Sequence, residues 1–266
     1  MISRTINAIK PEQVVMVSAG AAGIGSVIAE TFLAHDCHVH ICDVNADAIS
    51  KFLKKNPGAS ATRADISNVV QVEEVFDDLI DRYGRLDVLV NNAGIIGPMA
   101  HVEDIDPNEW DQTIAVNLNG HFYCTLKAIP LLKASRGSII SIASCVAFTG
   151  CPGRAPYTAS KWAILGFIKT LAMELGPDGV RVNAICPGSV DGERIQKVIE
   201  KDAKARGQSV DTIRDIYLRQ SSLRTFISAE DVANLVLVLA SDLGCKISGQ
   251  AIGLDGHTET LSNWCD

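Results

Sequence analysis

Tyr157 and Lys161 carry side chains that can together move a proton to or from an alcohol. Positions i and i+4 share one face of a helix, so the phenol and the ammonium group would point the same way. A tyrosine in water keeps its proton up to about pH 10, and a neighbouring cation favours the phenolate. The pair is therefore a candidate general base. The spacing also arises by chance, and a surface pair without chemistry is the alternative.

Ser144 lies upstream of this pair, just past the end of a predicted strand over 138–142. Because that strand should neighbour the helix that carries Tyr157, the Ser144 hydroxyl would hold the oxygen of a substrate. The alternative is that Ser141 and Ser144 are only turn residues.

A glycine-rich segment, Ser18-Ala19-Gly20-Ala21-Ala22-Gly23-Ile24-Gly25, follows the first predicted strand and precedes a predicted helix. Bare glycine backbone lets a pyrophosphate approach the N–H groups at the helix N-terminus. Asp43 ends the next predicted strand, where a carboxylate binds the ribose hydroxyls of NAD and repels the 2′-phosphate of NADP. The nearest cation along the chain is Lys51, so the sequence favours NAD. Asp43 as a simple cap of the next helix is the alternative.

Short apolar runs alternate with helical patterns along the whole chain. Strands are predicted over 14–17, 38–42, 61–63, 88–90, 138–142, 180–185 and 250–254, and helices over about 25–34, 46–54, 69–80, 108–134, 155–175 and 229–240. Pro130 is expected to kink the fourth helix or to mark its last turn. Continuous apolar strands indicate a sheet covered on both faces, and repeated β-α units imply right-handed crossovers. The predicted fold is α/β: a single-domain Rossmann fold, with a doubly wound, seven-stranded parallel sheet and helices on both faces. One domain spans 1–266, with a core over about 12–190 and 228–256.

The segment from about 191 to 226 is long and charged, and it is predicted to form a lid over the cleft. Ile195, Val198 and Ile199 would form one apolar helical face and Val210, Ile213 and Tyr217 another, with a break at Gly207. We expect both faces to cover the cleft. A solvated excursion without a role in substrate binding is the alternative.

Arg154 and Arg194 are the cations expected to reach a substrate, since one precedes Tyr157 and the other opens the lid. A guanidinium group suits a carboxylate, a sulfonate or a sugar acid. A neutral polyol or sugar remains an equal alternative.

Composition excludes several classes of protein. The chain has 266 residues and a net charge of −7, so it lacks the basic surface of a nucleic-acid-binding protein. No apolar run reaches the ~20 residues of a membrane span, and Met1–Lys10 lacks the apolar stretch of a signal peptide. The eight cysteines form no Cys-x-x-Cys pair and are expected to be buried, reduced thiols. These features predict a cytoplasmic protein that has a small-molecule substrate and no metal.

Taken together, the motifs strongly resemble those of the short-chain dehydrogenase/reductase family over nearly the whole chain. They occur in the family's order: the glycine-rich turn, Asp65-Ile66, Asn91-Asn92-Ala93-Gly94, Asn117, Ser144, Tyr157, Lys161 and Pro187-Gly188. The resemblance implies that Tyr157 is the acid/base and that Lys161 assists it while holding the nicotinamide ribose. It also implies that Ser144 orients the reacting oxygen and that Asn117 holds a relay water. The implied cofactor-binding residues are Ser18, Gly20, Gly23, Ile24, Gly25, Asp43, Asp65, Ile66, Asn92, Ala93, Gly94, Tyr157, Lys161, Pro187, Gly188 and Val190.

Two positions depart from the family pattern. Ala19 stands where the first glycine of the turn is usual, so Gly20 would take over the tight bend or the loop would differ. Gly192 stands where a threonine is frequent, so a hydrogen bond to the carboxamide would be lost or supplied elsewhere.

The resemblance implies an NAD-dependent oxidoreductase that interconverts a secondary alcohol and a ketone, or an alcohol and an aldehyde. The substrate would be small and polar, such as a polyol, a sugar, a hydroxy acid or a hydroxysulfonate. A homotetramer or homodimer is expected, with the tail 261–266 packing across the interface. One alternative is an NADP-dependent 3-oxoacyl-type ketoreductase, against which Asp43 argues. Another is a non-catalytic NAD-binding sensor, which would need no set of Asn117, Ser144, Tyr157 and Lys161.

Overall fold

A computed structural model describes residues 9–258, and the predictions for the first eight residues and for the tail 261–266 lie outside the described residues. All seven described strands are parallel, in the order β3-β2-β1-β4-β5-β6-β7. The strands are β1 (Val14–Ser18), β2 (His38–Asp43), β3 (Ser60–Arg63), β4 (Val88–Asn91), β5 (Ser138–Ile142), β6 (Arg181–Pro187) and β7 (Ala251–Leu254). The predicted seven-stranded parallel sheet is confirmed. The strand order reverses between β1 and β4, and the crevice outside the strand ends at such a point is where open α/β sheets bind ligands.

Helices cover both faces of the sheet because the strands are apolar on both sides. In β1, Val14 and Met16 enter one core cluster while Val15 and Val17 enter the other, following the two-residue period of a strand. The helices are α1 (Gly23–Leu33), α2 (Ala46–Lys55), α3 (Val69–Tyr83), α4 (Pro107–Ile114), α5 (Gly120–Ser135), α6 (Ala155–Leu175), α7 (Glu193–Arg206), α8 (Val210–Arg219) and α9 (Ala229–Ala240). None of them, within the described range, combines the length and apolar composition needed to cross a bilayer.

The long helix predicted over 108–134 is present from Pro107 to Ser135, but it is not a regular α-helix throughout. A π-helical turn, Ala115–Asn119, separates α4 from α5, and α5 continues through Pro130 to Ser135. A π turn inserts one residue into the helical repeat, and apolar periodicity alone does not reveal such an insertion. The irregular turn therefore lies at the segment that contains Asn117, whereas α5 continues past Pro130.

The segment 191–226 forms α7 and α8, and Gly207 joins them with a φ of +63°. The apolar faces pack mainly against each other, through a small cluster of Ile199, Ala203, Ile213 and Ile216. The expectation that both faces cover the cleft is wrong in that respect. Val210 is exposed, whereas Tyr217 is half-buried against the cluster.

The seven described cysteines are all free thiols. Cys37, Cys42, Cys124, Cys145 and Cys186 are buried as expected, and burial raises the pKa of the Cys37 and Cys145 thiols to about 11. The expectation of burial is wrong for Cys245, which is exposed, and holds only in part for Cys151. Cys265 lies outside the described residues.

Candidate active site

Tyr157 and Lys161 occupy the first turns of α6, where the ammonium nitrogen lies 5.7 Å from the centroid of the phenol ring. Lys161 is 3% exposed, and its Nζ donates a hydrogen bond of 2.9 Å to the Ile142 carbonyl at the end of β5. Burial lowers the pKa of Lys161 to about 7, and the positive charge of Arg194 contributes in the same direction. The structure thus places an ammonium group beside the phenol, with the remaining N–H groups available to a ligand.

Asn117 lies in the π-helical turn and is completely buried. Its Oδ1 accepts from the Ile95 N–H at 2.7 Å, while its Nδ2 donates to the Ile95 carbonyl at 3.0 Å and to Ser160 Oγ at 3.1 Å. The side chain therefore fastens the loop after β4 to α6. Since the side-chain amide is committed to these bonds, a relay water would be held by main-chain groups of the turn.

Ser160 is a positioning residue that sequence reasoning missed. Its hydroxyl donates to the Tyr157 carbonyl at 2.7 Å and accepts from Asn117. The signal in the sequence was its position three residues after Tyr157, on the same side of the helix.

Ser144 follows β5 at the carboxyl edge of the sheet and is 9% exposed. Its Oγ accepts a 3.4 Å hydrogen bond from the Val146 N–H and so begins the short 3₁₀ turn Cys145–Ala147. The hydroxyl still has one hydrogen to donate, and the neighbouring Cys145 side chain is one partner for it. Ser141 is not a turn residue, because it lies within β5.

Arg154 and Arg194 both approach the ring of Tyr157. The Arg154 guanidinium carbon lies 4.8 Å from the ring centroid and that of Arg194 lies 5.9 Å from it. Arg194 also donates a long hydrogen bond of 3.4 Å to the Gly94 carbonyl. Both cations singled out in the sequence are thus placed at the candidate site.

The glycine-rich turn is fastened to the loop after β4. Ser18 is buried, and its Oγ accepts from the N–H groups of Asn92 (3.0 Å) and Ala93 (3.1 Å). The Asn92 Nδ2 donates to the carbonyls of Ser18 (3.0 Å) and Ala19 (3.1 Å). The turn and the loop therefore form one unit at the point where the strand order reverses.

The tight bend is made by Ala19 and not by Gly20. Ala19 has a φ of +49°, in the left-handed region that glycine normally occupies, whereas Gly20 does not. Gly20 is required for space, because a Cβ there would lie 2.6 Å from the Ile41 side chain. The expectation that Gly20 replaces the missing glycine is wrong.

The surface around the start of α1 fits a dinucleotide cofactor. A Cβ on Gly25 would lie 2.1 Å from the Ala19 carbonyl oxygen, so only glycine leaves the turn this close to the helix. Gly23 begins α1 with a φ of +56°, and the first turn carries neither a side-chain cap nor an acidic residue. Ile24 is half-buried beside it. The free N–H groups favour a phosphate anion.

Asp43 lies at the end of β2, beside this turn. Its Oδ2 accepts from the Ala21 N–H at 3.2 Å and its Oδ1 from the Asn45 N–H at 3.0 Å. Asn45, not Asp43, caps α2, so the capping alternative is wrong. Arg63 lies opposite Asp43 in the register of the parallel strands β2 and β3, and its Nε donates to the Val44 carbonyl at 3.2 Å. Sequence reasoning missed this cation because β2–β3 pairing, and not sequence distance, brings it near.

Asp65 and Ile66 follow β3. The Asp65 carboxylate accepts hydrogen bonds from the N–H and the hydroxyl of Ser67, at 2.9 and 2.7 Å. Ile66 is buried in the core against Gly120, where a Cβ would lie 2.4 Å from Ile66 Cδ1. Any adenine contact from Ile66 would therefore come from its main chain.

His121 is a second residue that sequence reasoning did not single out. It is fully buried, and burial lowers its pKa to about 3, so the ring is neutral. Its Nε2 bonds the Ala93 carbonyl at 2.9 Å. Gly94 follows, and a Cβ there would lie 3.3 Å from Asn117 Oδ1 and 3.4 Å from Lys161 Nζ. His121 thus supports the loop that carries the expected cofactor channel.

The loop after β6 explains the second departure from the family pattern. Gly192 has a φ of +138°, a conformation in which a threonine would be strained. Gly188, after Pro187, packs so closely that a Cβ would lie 2.9 Å from Asp255 Cβ, and Val190 pairs with Ile227. The expected carboxamide side of the site is therefore held by backbone pairing.

Helix α8 lies close to Cys145, the residue after Ser144. A cavity of about 10 Å³ is lined by Cys145, Ser189, Tyr217, Gln220, Ser221, Thr225, Asp255 and Thr258. That volume holds about one water molecule.

The fold and the site define a dinucleotide-binding oxidoreductase. Residues 19–257 match the family model described as enoyl-(acyl carrier protein) reductase. The chain belongs to the short-chain dehydrogenase/reductase family, which binds nicotinamide cofactors, and it is an enzyme that acts on CH–OH groups. Its reaction is the interconversion of a secondary alcohol and a ketone.

Several relatives match over nearly their whole length. The 3-oxoacyl-[acyl-carrier-protein] reductase of Thermotoga maritima is 34% identical, over 92% of this chain and 96% of the relative. The trans-4-hydroxycyclohexanecarboxylate dehydrogenase of Sinomonas cyclohexanicum is 34% identical over 95% and 94%. The D-beta-hydroxybutyrate dehydrogenase of Rhizobium meliloti is 33% identical over 91% and 96%. An actinorhodin polyketide ketoreductase solved with NADPH superposes with a TM-score of 0.88 at 28% identity, over 92% and 96%.

Proposed function

We propose that this protein is an NAD-dependent dehydrogenase of a small polar secondary alcohol, such as a hydroxy acid, a hydroxysulfonate, a polyol or a sugar. The observation that carries the proposal is the placement of Lys161 beside the Tyr157 ring, next to a dinucleotide cradle whose edge carries Asp43. Hydroxy acids are supported by the names of the Rhizobium and Sinomonas relatives, which act on a hydroxybutyrate and a hydroxycyclohexanecarboxylate. An alcohol–aldehyde pair would use the same groups.

In this proposal Tyr157 exchanges the proton of the substrate hydroxyl. Lys161 favours the phenolate and holds the nicotinamide ribose, and the Ser144 hydroxyl donates to the reacting oxygen and orients it. Asn117 and Ser160 hold Tyr157 in register with the loop after β4. A bound nicotinamide dinucleotide would supply or accept the hydride at the carbinol carbon.

The preference for NAD rests on Asp43. Its carboxylate faces the turn that would hold the pyrophosphate, and it would repel a 2′-phosphate. An NADP-dependent 3-oxoacyl-type ketoreductase is the second candidate. It is favoured by Arg63 beside Asp43, by the Thermotoga relative and by the NADPH in the solved neighbour. A sensor without catalysis is disfavoured, because binding alone needs no ordered set of Tyr157, Lys161 and Ser144.

The test is an absorbance assay of reduced nicotinamide with NAD or NADP and a panel of hydroxy acids, hydroxysulfonates, polyols and sugars. Turnover with NAD and one substrate class is the expected result. A strong preference for NADP with 3-oxoacyl substrates would favour the second candidate. Tight binding of NAD without turnover of any alcohol would support a sensor.

We further propose that the protein forms a homotetramer, or a homodimer, through α5 and α6. We also propose that it is located in the cytoplasm. Phe122 and Leu126 on α5 and Trp162 and Met173 on α6 are exposed, and exposed apolar patches mark interaction sites. Free thiols are typical of a reducing compartment. Light scattering after gel filtration would test the assembly, and Leu126→Glu should lower its mass.

A further inference from the structure

The guanidinium groups of Arg154 and Arg194 lie beside the same phenol ring, that of Tyr157. They lie 4.8 and 5.9 Å from the centroid of the Tyr157 ring, and neither forms an ion pair within residues 9–258. Arg154 Nε is buried and has no hydrogen-bond partner in that range. The site therefore carries positive charge that nothing described in the chain neutralises.

Three other arginines of the lid form ion pairs with carboxylates. These pairs are Arg206 with Asp202, Arg214 with Asp191, and Arg219 with Asp215. Acids are thus plentiful in this segment, yet none is placed at the Tyr157 ring. The unpaired charge of Arg154 costs free energy because that side chain is half-buried, whereas Arg194 is exposed. Lys161, buried nearby, adds positive charge when it is protonated. Such a cluster is expected where an anion binds.

Arg154 and Arg194 come to the Tyr157 ring from different elements. Arg154 is the residue directly before α6, and its positive charge acts to lower the pKa of the Tyr217 phenol on α8, which burial raises to about 12. Arg194 contacts the Gly94 carbonyl, on the side of the loop after β4. A cofactor pyrophosphate near α1 is the other conceivable anion, and Arg194 is the residue that would reach it.

We propose that Arg154 and Arg194 together bind the acid group of the substrate, and that the enzyme acts on short hydroxy acids bearing a carboxylate or a sulfonate. This inference rests on the function proposed above. The two guanidinium groups receive the acid, which brings the carbinol carbon of a short molecule to Tyr157 and Ser144. During oxidation the carbinol C–H bond breaks with its electron pair passing to the oxidised nicotinamide, and the hydroxyl proton passes to Tyr157. The acid group itself stays unchanged.

The experiment compares hydroxy acids with their uncharged methyl esters. Wild type, Arg154→Gln, Arg194→Gln and the control Arg219→Gln would be assayed with 3-hydroxybutyrate, other short hydroxy acids, hydroxysulfonates and the matching esters. We expect wild type to favour an acid over its ester by roughly 30-fold or more in kcat/KM, since loss of one charged partner typically has an effect of this size. Each site variant should lower the acid-to-ester ratio, chiefly through a higher KM for the acid, and any effect of the variant that is common to both substrates cancels in that ratio. Arg219→Gln should behave as wild type.

NADH and ADP-ribose titrations separate the two sources of the anion. We expect both affinities to be unchanged in Arg154→Gln and Arg194→Gln. If Arg194→Gln weakens ADP-ribose binding and leaves the acid-to-ester ratio intact, Arg194 binds the cofactor and the inference is overturned. Equal use of acid and ester by wild type overturns it as well, while the dehydrogenase assignment stands. No turnover of any alcohol with either cofactor would instead refute the proposed function.

Circular dichroism would confirm that the variants fold. If Arg154→Gln does not fold, competitive inhibition of wild type by short carboxylates replaces it. Inhibition that weakens as salt rises supports the inference, and no inhibition overturns it.

Discussion

Asn117 Nδ2 donates a 3.1 Å hydrogen bond to Ser160 Oγ, and this bond joins the π-helical turn to the helix that carries Tyr157. The same hydroxyl donates to the Tyr157 carbonyl at 2.7 Å. Ser160 thereby links a residue of the expected proton relay to the backbone of the expected acid/base residue, although Ser160 itself is completely buried.

Ser160→Ala should lower the unfolding free energy by about 1 kcal/mol, because Asn117 keeps its bonds to Ile95 but loses one buried partner. We expect a several-fold fall in kcat with an unchanged affinity for NADH. Thermal unfolding and steady-state kinetics would check this, with Thr158→Ala as a control on the same helix. Unchanged kcat would mean that the bond does not position Tyr157.

Tyr157→Phe should reduce turnover by about 100- to 10,000-fold, the usual contribution of a general acid or base. Only the hydroxyl is removed, so the ring that Arg154 and Arg194 flank remains. NADH titration should give a dissociation constant close to that of wild type. Turnover near the wild-type rate would exclude Tyr157 as the proton-transfer group.

Lys161 makes the stability of the cofactor-free protein depend on pH. Its pKa is about 7 in the folded protein, against 10.5 when unperturbed, chiefly because it is buried. Below pH 7 both states are protonated and the full cost of the buried charge is present. Between the two values the unfolded state binds more protons, so stability rises with pH.

Lys161→Met should therefore stabilise the cofactor-free protein more at pH 6 than at pH 9, with the difference on the order of 2 kcal/mol. Melting temperatures of variant and wild type across that range would measure it, and Lys169→Met, on the outer side of the same helix, is the control. A difference between variant and wild type that does not change with pH would contradict the lowered pKa of Lys161.

Ala19→Gly should raise the unfolding free energy by roughly 0.5–1 kcal/mol. Alanine at a φ of +49° is strained, and glycine removes a cost of about 1–2 kcal/mol, partly offset by its greater freedom in the unfolded chain. Gly23→Ala is the matched opposite change, because Gly23 has a φ of +56° and open space around its Cα. Unfolding in urea should therefore move the two variants in opposite directions.

The sequence predicted the seven strands of the sheet and the positions of the candidate functional residues that follow them. Both predictions depend on local patterns in the chain. Apolar runs such as 14–17 define strands, and the Tyr157–Lys161 spacing defines one helical face. It did not predict the π turn at Asn117, since one inserted residue leaves the apolar period nearly intact. It offered Gly20 as one possible site of the tight bend, but in the fold Ala19 takes the positive φ. Gly20 is needed instead for space, because a Cβ there would meet Ile41. Arg63 was overlooked for the same reason: its nearness to Asp43 exists only in the folded sheet.

We expect Asp43 and Arg63 to have opposite effects on the choice of cofactor. The Asp43 carboxylate accepts from the turn at Ala21, whereas Arg63 donates from the neighbouring strand to the Val44 carbonyl. Asp43→Ser removes the charge that repels a 2′-phosphate and leaves the guanidinium of Arg63 unopposed. The ratio of kcat/KM for NADP over NAD should rise by about 10- to 100-fold, since a charge contact of this kind contributes about 1.5–3 kcal/mol. Arg63→Ser should move the ratio the other way. If Asp43→Ser leaves the ratio unchanged, then Asp43 does not contact the ribose, and its role is confined to holding the N–H groups of Ala21 and Asn45.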